Sequence, residues 1–465
     1  MSLLIVGMDN TIVNVALPSI HLDLHASLSD LQWTIDAYTL VLASLLMLSG
    51  STADRVGRRR TFQTGLALFT VGSLLCSLAP SLGWLIAFRM LQAVGGSMLN
   101  PVAMSIITNV FTDARERAFA IGVWGGVVGI SMGLGPVVGG LLIDSIGWRA
   151  IFWINIPIGV AAIVLAALFV PESKADRPRR VDVVGQALVI VLLASLTYAI
   201  IEAPNRQWLS GPTLGVLAIS AASTAALIGY ERRRAEPLLE LGFFRSVPFS
   251  GATVTAVCAF GAFAGFLFLN TLYLQDVRGF SALQAGLCTV PMAVVTSMFA
   301  PLSGRIVGTR GTRIPLVVAG VGITASGLML LDLGRHTPIA YLLVTYVVFA
   351  VGFGMVNAPI TNSAVSGMPR SQAGVAAAVA STSRQVGAAL GVAIVGSVLN
   401  SGIGGGALAD RFAAASHPAW AIIAGCGALT LALGLITSGR WARRTADAVA
   451  EAFGDDELRV PAASS

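Results

Sequence analysis

Hydrophobic residues run through this chain in long blocks, and each block closes on a charge or on a Gly/Pro break. A helix needs about 17–25 apolar residues to cross a bilayer. Fourteen blocks qualify, at approximate limits 2–20, 31–51, 61–79, 83–109, 118–143, 149–170, 184–201, 212–230, 249–275, 281–306, 313–331, 338–362, 374–400 and 418–438. Alanine, glycine and leucine dominate them over strand-forming residues. The expected fold class is therefore all-α and polytopic, since lipid admits only helices or closed barrels.

Composition agrees. Of 465 residues 55% are hydrophobic and 11% charged, with mean hydropathy +0.81, whereas soluble domains carry about 25% charged residues. The net charge of +6 is no nucleic-acid signature, because the basic residues sit in short loops between blocks. With a cytoplasmic amino terminus, 22 of the 29 Lys and Arg residues fall on the cytoplasmic side, five outside, and two (Arg89 and Arg384) within spans. That asymmetry places both termini in the cytoplasm. Arginine outnumbers lysine 28 to one, which suggests a GC-rich bacterial genome and hence a bacterial inner membrane.

Several chemistries are set aside. Cys76, Cys258, Cys288 and Cys426 fall inside spans with no CxxC spacing, so neither a disulfide framework nor a metal site is expected. His21, His25, His336 and His417 land in outward loops, out of reach of a transmembrane proton relay. No phosphate-binding Gly-Lys-Ser/Thr loop occurs, so ATP hydrolysis, other enzyme activity and a bound cofactor are not expected. The first block lacks the basic region of a signal peptide. Only Met1 and Ser2 precede it, so a late start or a lost cytoplasmic tail is expected.

The chain repeats itself. The loop after span 2, "GSTADRVGRRR", and the loop after span 10, "GRIVGTRGTR", share Gly50/Gly304, Gly57/Gly311 and Arg59/Arg313, each pair 254 residues apart. Spans 1–6 and 9–14 then read as parallel six-helix halves with the substrate site between them near the midplane. The expected division is 1–170, 171–248 (two inserted helices), 249–438 and a cytoplasmic tail 439–465.

Four motifs carry a resemblance: "DNTIVNVALP" (9–18), "GSTADRVGRR" (50–59), "RMLQAVGG" (89–96) and "GISMGLGPVVGG" (129–140). With them the chain resembles the major facilitator superfamily, in its fourteen-span branch of drug:proton antiporters, from span 1 to span 14. The resemblance implies a major facilitator fold and proton-driven efflux of hydrophobic or amphipathic, often cationic, compounds. A specific metabolite exporter or importer is the alternative on the same fold. Implied partners are such small molecules, protons and lipid, with the chain acting as a monomer.

Site residues follow from both lines of reasoning. Of 23 acids only Asp9 and Asp36 lie well inside spans, with Glu202 at a span end. Asp9 is expected to couple protons, Asp36 to share that work or meet cationic substrate, and Arg89 to tune one of them. On span 2, Gln32, Asp36 and Thr39 share a face; on span 4, Arg89, Gln92, Gly96 and Asn100 do; on span 1, Asn10 and Asn14 flank Asp9. These stripes are expected to face one cavity, joined from the second half by Asn270, Tyr273, Asn357, Thr361, Arg384 and Gln385. In the cytoplasmic loop, Gly50 and Gly57 permit a tight turn. Asp54 can pair with Arg58, with Arg55 beside them, or with a neighbouring helix terminus, latching the halves on the inner side, and the resemblance implies that this latch helps stabilise the outward-open state. It is one-sided, since Gly308 replaces Asp54 in the second copy. On span 5, Gly129, Gly133, Gly135, Gly139 and Gly140 let helices approach closely, and Pro136 invites a bend. Resemblance marks this as an antiporter motif used in switching.

Overall fold

A computed structural model describes residues 1–111, 113–175, 182–234, 237–368, 370–404 and 408–459. Arg177, Arg179 and Arg180 of the expected cytoplasmic set lie outside them. Among the described residues there is no strand. In chain order the main helices are α1 (Ser2–Leu24), α2 (Leu28–Val56), α3 (Arg58–Ser77), α4 (Leu82–Val110), α5 (Ala114–Ser145), α6 (Ala150–Phe169), α7 (Val183–Arg206) and α8 (Gly211–Glu231). They continue with α9 (Val247–Val277), α10 (Ala282–Arg310), α11 (Arg313–Asp332), α12 (Ile339–Val365), α13 (Arg370–Ile403), α14 (Leu408–Thr437) and α15 (Arg440–Arg459).

Each expected span falls on one of α1–α14. By length and composition, however, eleven helices among the described residues suffice to cross a membrane: α2, α4 and α6–α14. The expected count of fourteen is not met on that measure. Of the other three, α1 carries Asp9 and α3 opens on three arginines, and in α5 the apolar stretch among the described residues is Ile130–Ser145. His21 and His417 are a second correction: they lie inside α1, which runs to Leu24, and α14, which starts at Leu408, rather than in loops.

The repeat seen in one loop extends through whole helices. Helix α2 starts at a Ser27/Asp30 capping box and α10 at a Ser281/Gln284 box, so in each the N–H groups of the cap and of the third helical residue are met. Both run 29 residues and end on a glycine at positive φ, Gly57 at 129° and Gly311 at 81°, where a side chain would be strained. Helices α4 and α12 each break midway and restart at an asparagine, Asn100 and Asn357, with proline in the new first turn.

Packing follows the same relation. Helix α1 lies on α5 as α9 lies on α13; α3 on α6 as α11 on α14; and α2 on α4 as α10 on α12. Two six-helix bundles result. They meet along two seams, α5 on α10 and α2 on α13, which the repeat exchanges. The inserted α7 lies on both α2 and α13, and α8 packs on α7. Helix α15 tucks under the second bundle, where Phe453 stands edge-on to Phe243 at 5.3 Å and Thr445 accepts the Val247 N–H.

Candidate functional site

Asp9 sits at mid-helix on α1 and is fully buried. Its carboxylate takes a charge-assisted hydrogen bond from the Arg89 guanidinium of α4 at 2.5 Å. The other oxygen accepts from Gln92 Nε2 at 2.9 Å and Asn155 Nδ2 at 3.3 Å. Ser73 of α3 accepts from both amides, at 3.4 Å and 3.0 Å, and donates to the Phe152 carbonyl. Arg89 also donates to Gln92 Oε1 at 2.7 Å and to the Thr34 carbonyl at 3.4 Å, and lies 4.1 Å over the Tyr38 ring. Five helices thus converge on one ion pair. The close approach has a cause in small residues: a Cβ on Gly72 would stand 2.7 Å from Gln92 Cα, and one on Gly65 would stand 2.9 Å from the Gly95 carbonyl.

Asp36 is the opposite case. It is fully buried, yet both its carboxylate oxygens lack a hydrogen-bond partner. Gln32, one turn before it, donates to the Val392 and Ala393 carbonyls of α13. Leu40, one turn after it, packs with Ala389. Asp36 is on the face between them, inside the α2–α13 seam. Helix α7 closes the flank of that seam: Trp33 donates to Glu202 at 3.3 Å, and Gln186 donates to the Ser44 carbonyl.

The α5 glycines divide between two neighbours. A Cβ on Gly139 or Gly135 would run into Ile12 or Thr11 of α1. One on Gly140 would stand 2.5 Å from Leu283 Cα, and one on Gly133 would stand 2.9 Å from Ala293, both on α10. The Pro136 carbonyl abuts Gly286. The surroundings of Gly129 lie outside the described residues. Between the bundles, the hydrogen bonds among described residues run from Gln32 to α13, Gln275 to the Val15 carbonyl, Asp144 to α10 and Asn400 to Ser29. These four fall in the half of the molecule remote from the Gly50–Arg59 loop. The halves are closed at that end.

A family model described as Major Facilitator Superfamily matches residues 1–392. The chain belongs to that superfamily. It is 36% identical over 399 residues to the multidrug resistance protein Stp of Mycobacterium tuberculosis, covering 86% of this chain and 74% of that protein. It is 37% identical over 417 residues to the tetracenomycin C resistance and export protein of Streptomyces glaucescens, covering 89% and 77%. The D-xylose-proton symporter structure superposes with a TM-score of 0.65 at 16% identity, covering 93% and 94%. A bacterial homologue of the lysosomal transporter Spinster, inward-facing and unoccupied, superposes with a TM-score of 0.63 at 17% identity, covering 98% and 96%. As a superfamily member the chain is a multi-pass membrane transport protein.

The superfamily fold sorts the remaining candidates. Gln92 belongs to the sealed Asp9 network and Gln32 to a seam, so neither lines an open cavity. Asn270 is buried against the Tyr346 hydroxyl, and Tyr273 donates to the Gly334 carbonyl at 2.7 Å. Thr39 turns back to its own helix, as does Asn14 through Nδ2. Asn100 is half-buried with Oδ1 unpartnered, Asn357 is exposed, and Arg384 donates to Thr361 at 2.6 Å. These last three, with the Phe263–Phe353 stack at 4.3 Å, remain available to a ligand. In the cytoplasmic loop Asp54 pairs with Arg58 at 2.9 Å, as expected. The Arg59 N–H bonds Glu172 at 3.1 Å, and the Arg58 N–H bonds the Ser173 carbonyl at 2.9 Å, both in the first bundle. A Cβ on Gly57 would meet that same glutamate at 2.7 Å. Gly50, by contrast, has open space around it.

Sequence reasoning did not single out Asn155, Ser73 or Thr34. Asn155 had a visible signal, an amide inside the apolar "IFWINIPIG". Serine and threonine had none, because they bond their own helix as readily as a neighbour.

Proposed function

We propose that this superfamily member exports hydrophobic or amphipathic compounds, cationic ones among them, in exchange for protons. The observation that carries the reading is a pair of buried acids in contrasting surroundings, Asp9 fully bonded and Asp36 without a partner. The relatives described as multidrug resistance and antibiotic export proteins support the substrate class. In this reading the chain crosses a bacterial inner membrane fourteen times with both termini cytoplasmic, divided at 170, 248 and 438, and works as a monomer without ATP or cofactor. The helix on every expected span and the arginine asymmetry support that topology.

The mechanism follows from what each acid loses when it changes form. An unpaired buried carboxylate costs several kcal/mol, and Asp36 escapes that as the neutral acid while its seam is shut. Parting α2 from α13 admits water and removes the penalty. Asp9 behaves inversely: the ionised form is held by Arg89, Gln92 and Asn155. Protonating it frees Arg89, which keeps Gln92 Oε1, the Thr34 carbonyl and the Tyr38 face. Each inward proton carries about 2.3 kcal/mol per 100 mV of membrane potential.

In proteoliposomes with an imposed pH gradient, the wild type is expected to extrude a cationic dye and an uncoupler to abolish that extrusion. Asp9→Asn is expected to bind dye but lose the gradient dependence. Extrusion by Asp9→Asn that still follows the gradient removes Asp9 from the coupling. A wild type that ignores dyes and moves one defined metabolite supports the alternative.

A further inference from the structure

Asp144 stands at the last turn of α5, on the first bundle, and reaches across to the second. Its Oδ2 accepts from Ser281 Oγ at 2.7 Å and the Leu283 N–H at 3.0 Å, while Oδ1 accepts from the Ala282 N–H at 3.2 Å. One carboxylate therefore holds the opening turn of a helix that belongs to the opposite half. The free N–H groups and the dipole of that turn favour an anion. One turn inward, Gly140 and Gly286 bring the α5 and α10 backbones into contact, so the bond and the contact close the same seam.

The other seam shows what is special about this one. The repeat places Asn400 of α13 opposite the start of α2, as Asp144 of α5 stands opposite the start of α10. Asn400 donates to Ser29 Oγ at 3.4 Å and to Asn205 Oδ1 at 3.2 Å, and Asn205 in turn donates to Ser29 at 3.0 Å. The three side chains that meet there, Asn400, Asn205 and Ser29, are neutral, and the junction leans on the inserted α7. The α5–α10 junction is ionic, closed by the Asp144 carboxylate.

We infer that Asp144 is the positioning residue of the outer gate: it clasps α10 while the transporter is closed on the outside, and that clasp must break for the outer side to open. Outward opening leaves three donors on α10 without the carboxylate, so Asp144 shifts the balance toward the inward-facing form. It touches no substrate and moves no proton in this assignment. Which face is outer rests on the topology proposed above; the clasp between the halves does not.

The test reads both faces of the full-length protein in vesicles, with the four native cysteines replaced. A reporter at Ala285→Cys, 4% exposed and on α10 beside the seam, is labelled with a membrane-impermeant maleimide from one face. A second, at the exposed Asn357→Cys, is labelled from the other. Losing charge-assisted bonds is expected to speed labelling at 285 roughly tenfold in Asp144→Ala and to slow labelling at 357. Asp144→Asn, which keeps an acceptor, falls between. Ser145→Ala, whose hydroxyl bonds its own helix, changes neither rate. A general loosening of the fold would raise both rates together, so opposite movement is the signature. Unchanged rates in an Asp144→Ala protein that melts like wild type overturn the inference. If the topology is inverted, the labelling faces exchange while the opposite movement persists. A protein that moves no drug still reports its gate.

Discussion

A carboxylate at the centre of a bilayer helix costs roughly 2.5–3.5 kcal/mol on insertion scales, and Asp9 and Asp36 meet that cost differently. Asp9 is repaid by a guanidinium and two amides. Asp36 has no donor and sits in a seam. Arg89→Ala strands the Asp9 charge and is expected to cost about 3–5 kcal/mol of stability, seen as a clear fall in the melting temperature of the purified protein. Asp36→Asn removes a group that bonds nothing and is expected to leave melting unchanged. Equal losses from the two variants would erase the contrast. That Arg89 would meet one of the two acids was legible because charges stand out in apolar blocks; that the acid is Asp9 came from the structure. The isolation of Asp36 was not, since Gln32 and Thr39 beside it suggested a polar stripe around a cavity. That Gln32 is committed to α13 carbonyls is a matter of register between distant helices.

At the scale of elements, α5 is a helix whose glycines serve two surfaces, Gly135 and Gly139 toward α1, Gly133 and Gly140 toward α10. A bulky side chain at Gly140 has backbone, not a flexible tip, in its way. Gly140→Leu is therefore expected to prevent the α5–α10 seam from closing and to abolish export, measured as loss of dye extrusion at normal expression. Gly83→Ala on α4, where nothing lies within 4 Å, is expected to export normally. Export by Gly140→Leu at the wild-type rate would mean that the seam need not close. The four-residue spacing announced close packing in advance. It did not say which glycine met which helix, because spacing fixes a face and not its neighbour. The Gly50–Arg59 loop teaches the same lesson. Its Asp54–Arg58 pair was expected, but its anchor Glu172 lies more than a hundred residues away and carries no local signal.

Across the whole molecule, two bundles share a plan but not a chemistry. Where the first bundle builds Asp9, Arg89, Gln92 and Ser73 into one network, the second has Asn270 on Tyr346 and stacked rings, Phe266 on Phe349 at 4.6 Å. Charge in the interior is concentrated in the first half, so coupling is expected to be as well. The inserted α7 bonds α2 through Glu202, Gln186 and Asn205, and α13 through Asn205. A chain severed between α8 and α9 and co-expressed as two pieces is expected to co-purify and to export, with α7 and α8 staying on the first piece. Pieces that fail to associate while each is stably inserted would show that the two seams do not hold the halves without a covalent link.

Hydropathy and charge settled the broad outcome without help from packing. Long apolar blocks leave helices as the only way to satisfy the backbone in lipid, arginine gives the sidedness to be expected of the loops, and a shared 254-residue offset announces two halves. Those properties are local or additive along the chain. Partnership is neither. Asn155 against Asp9, Asp144 against α10 and Gln32 against α13 each join residues far apart in sequence, and only the depth and rotation at which two helices settle against one another decides whether a buried polar group finds a donor or is left without one.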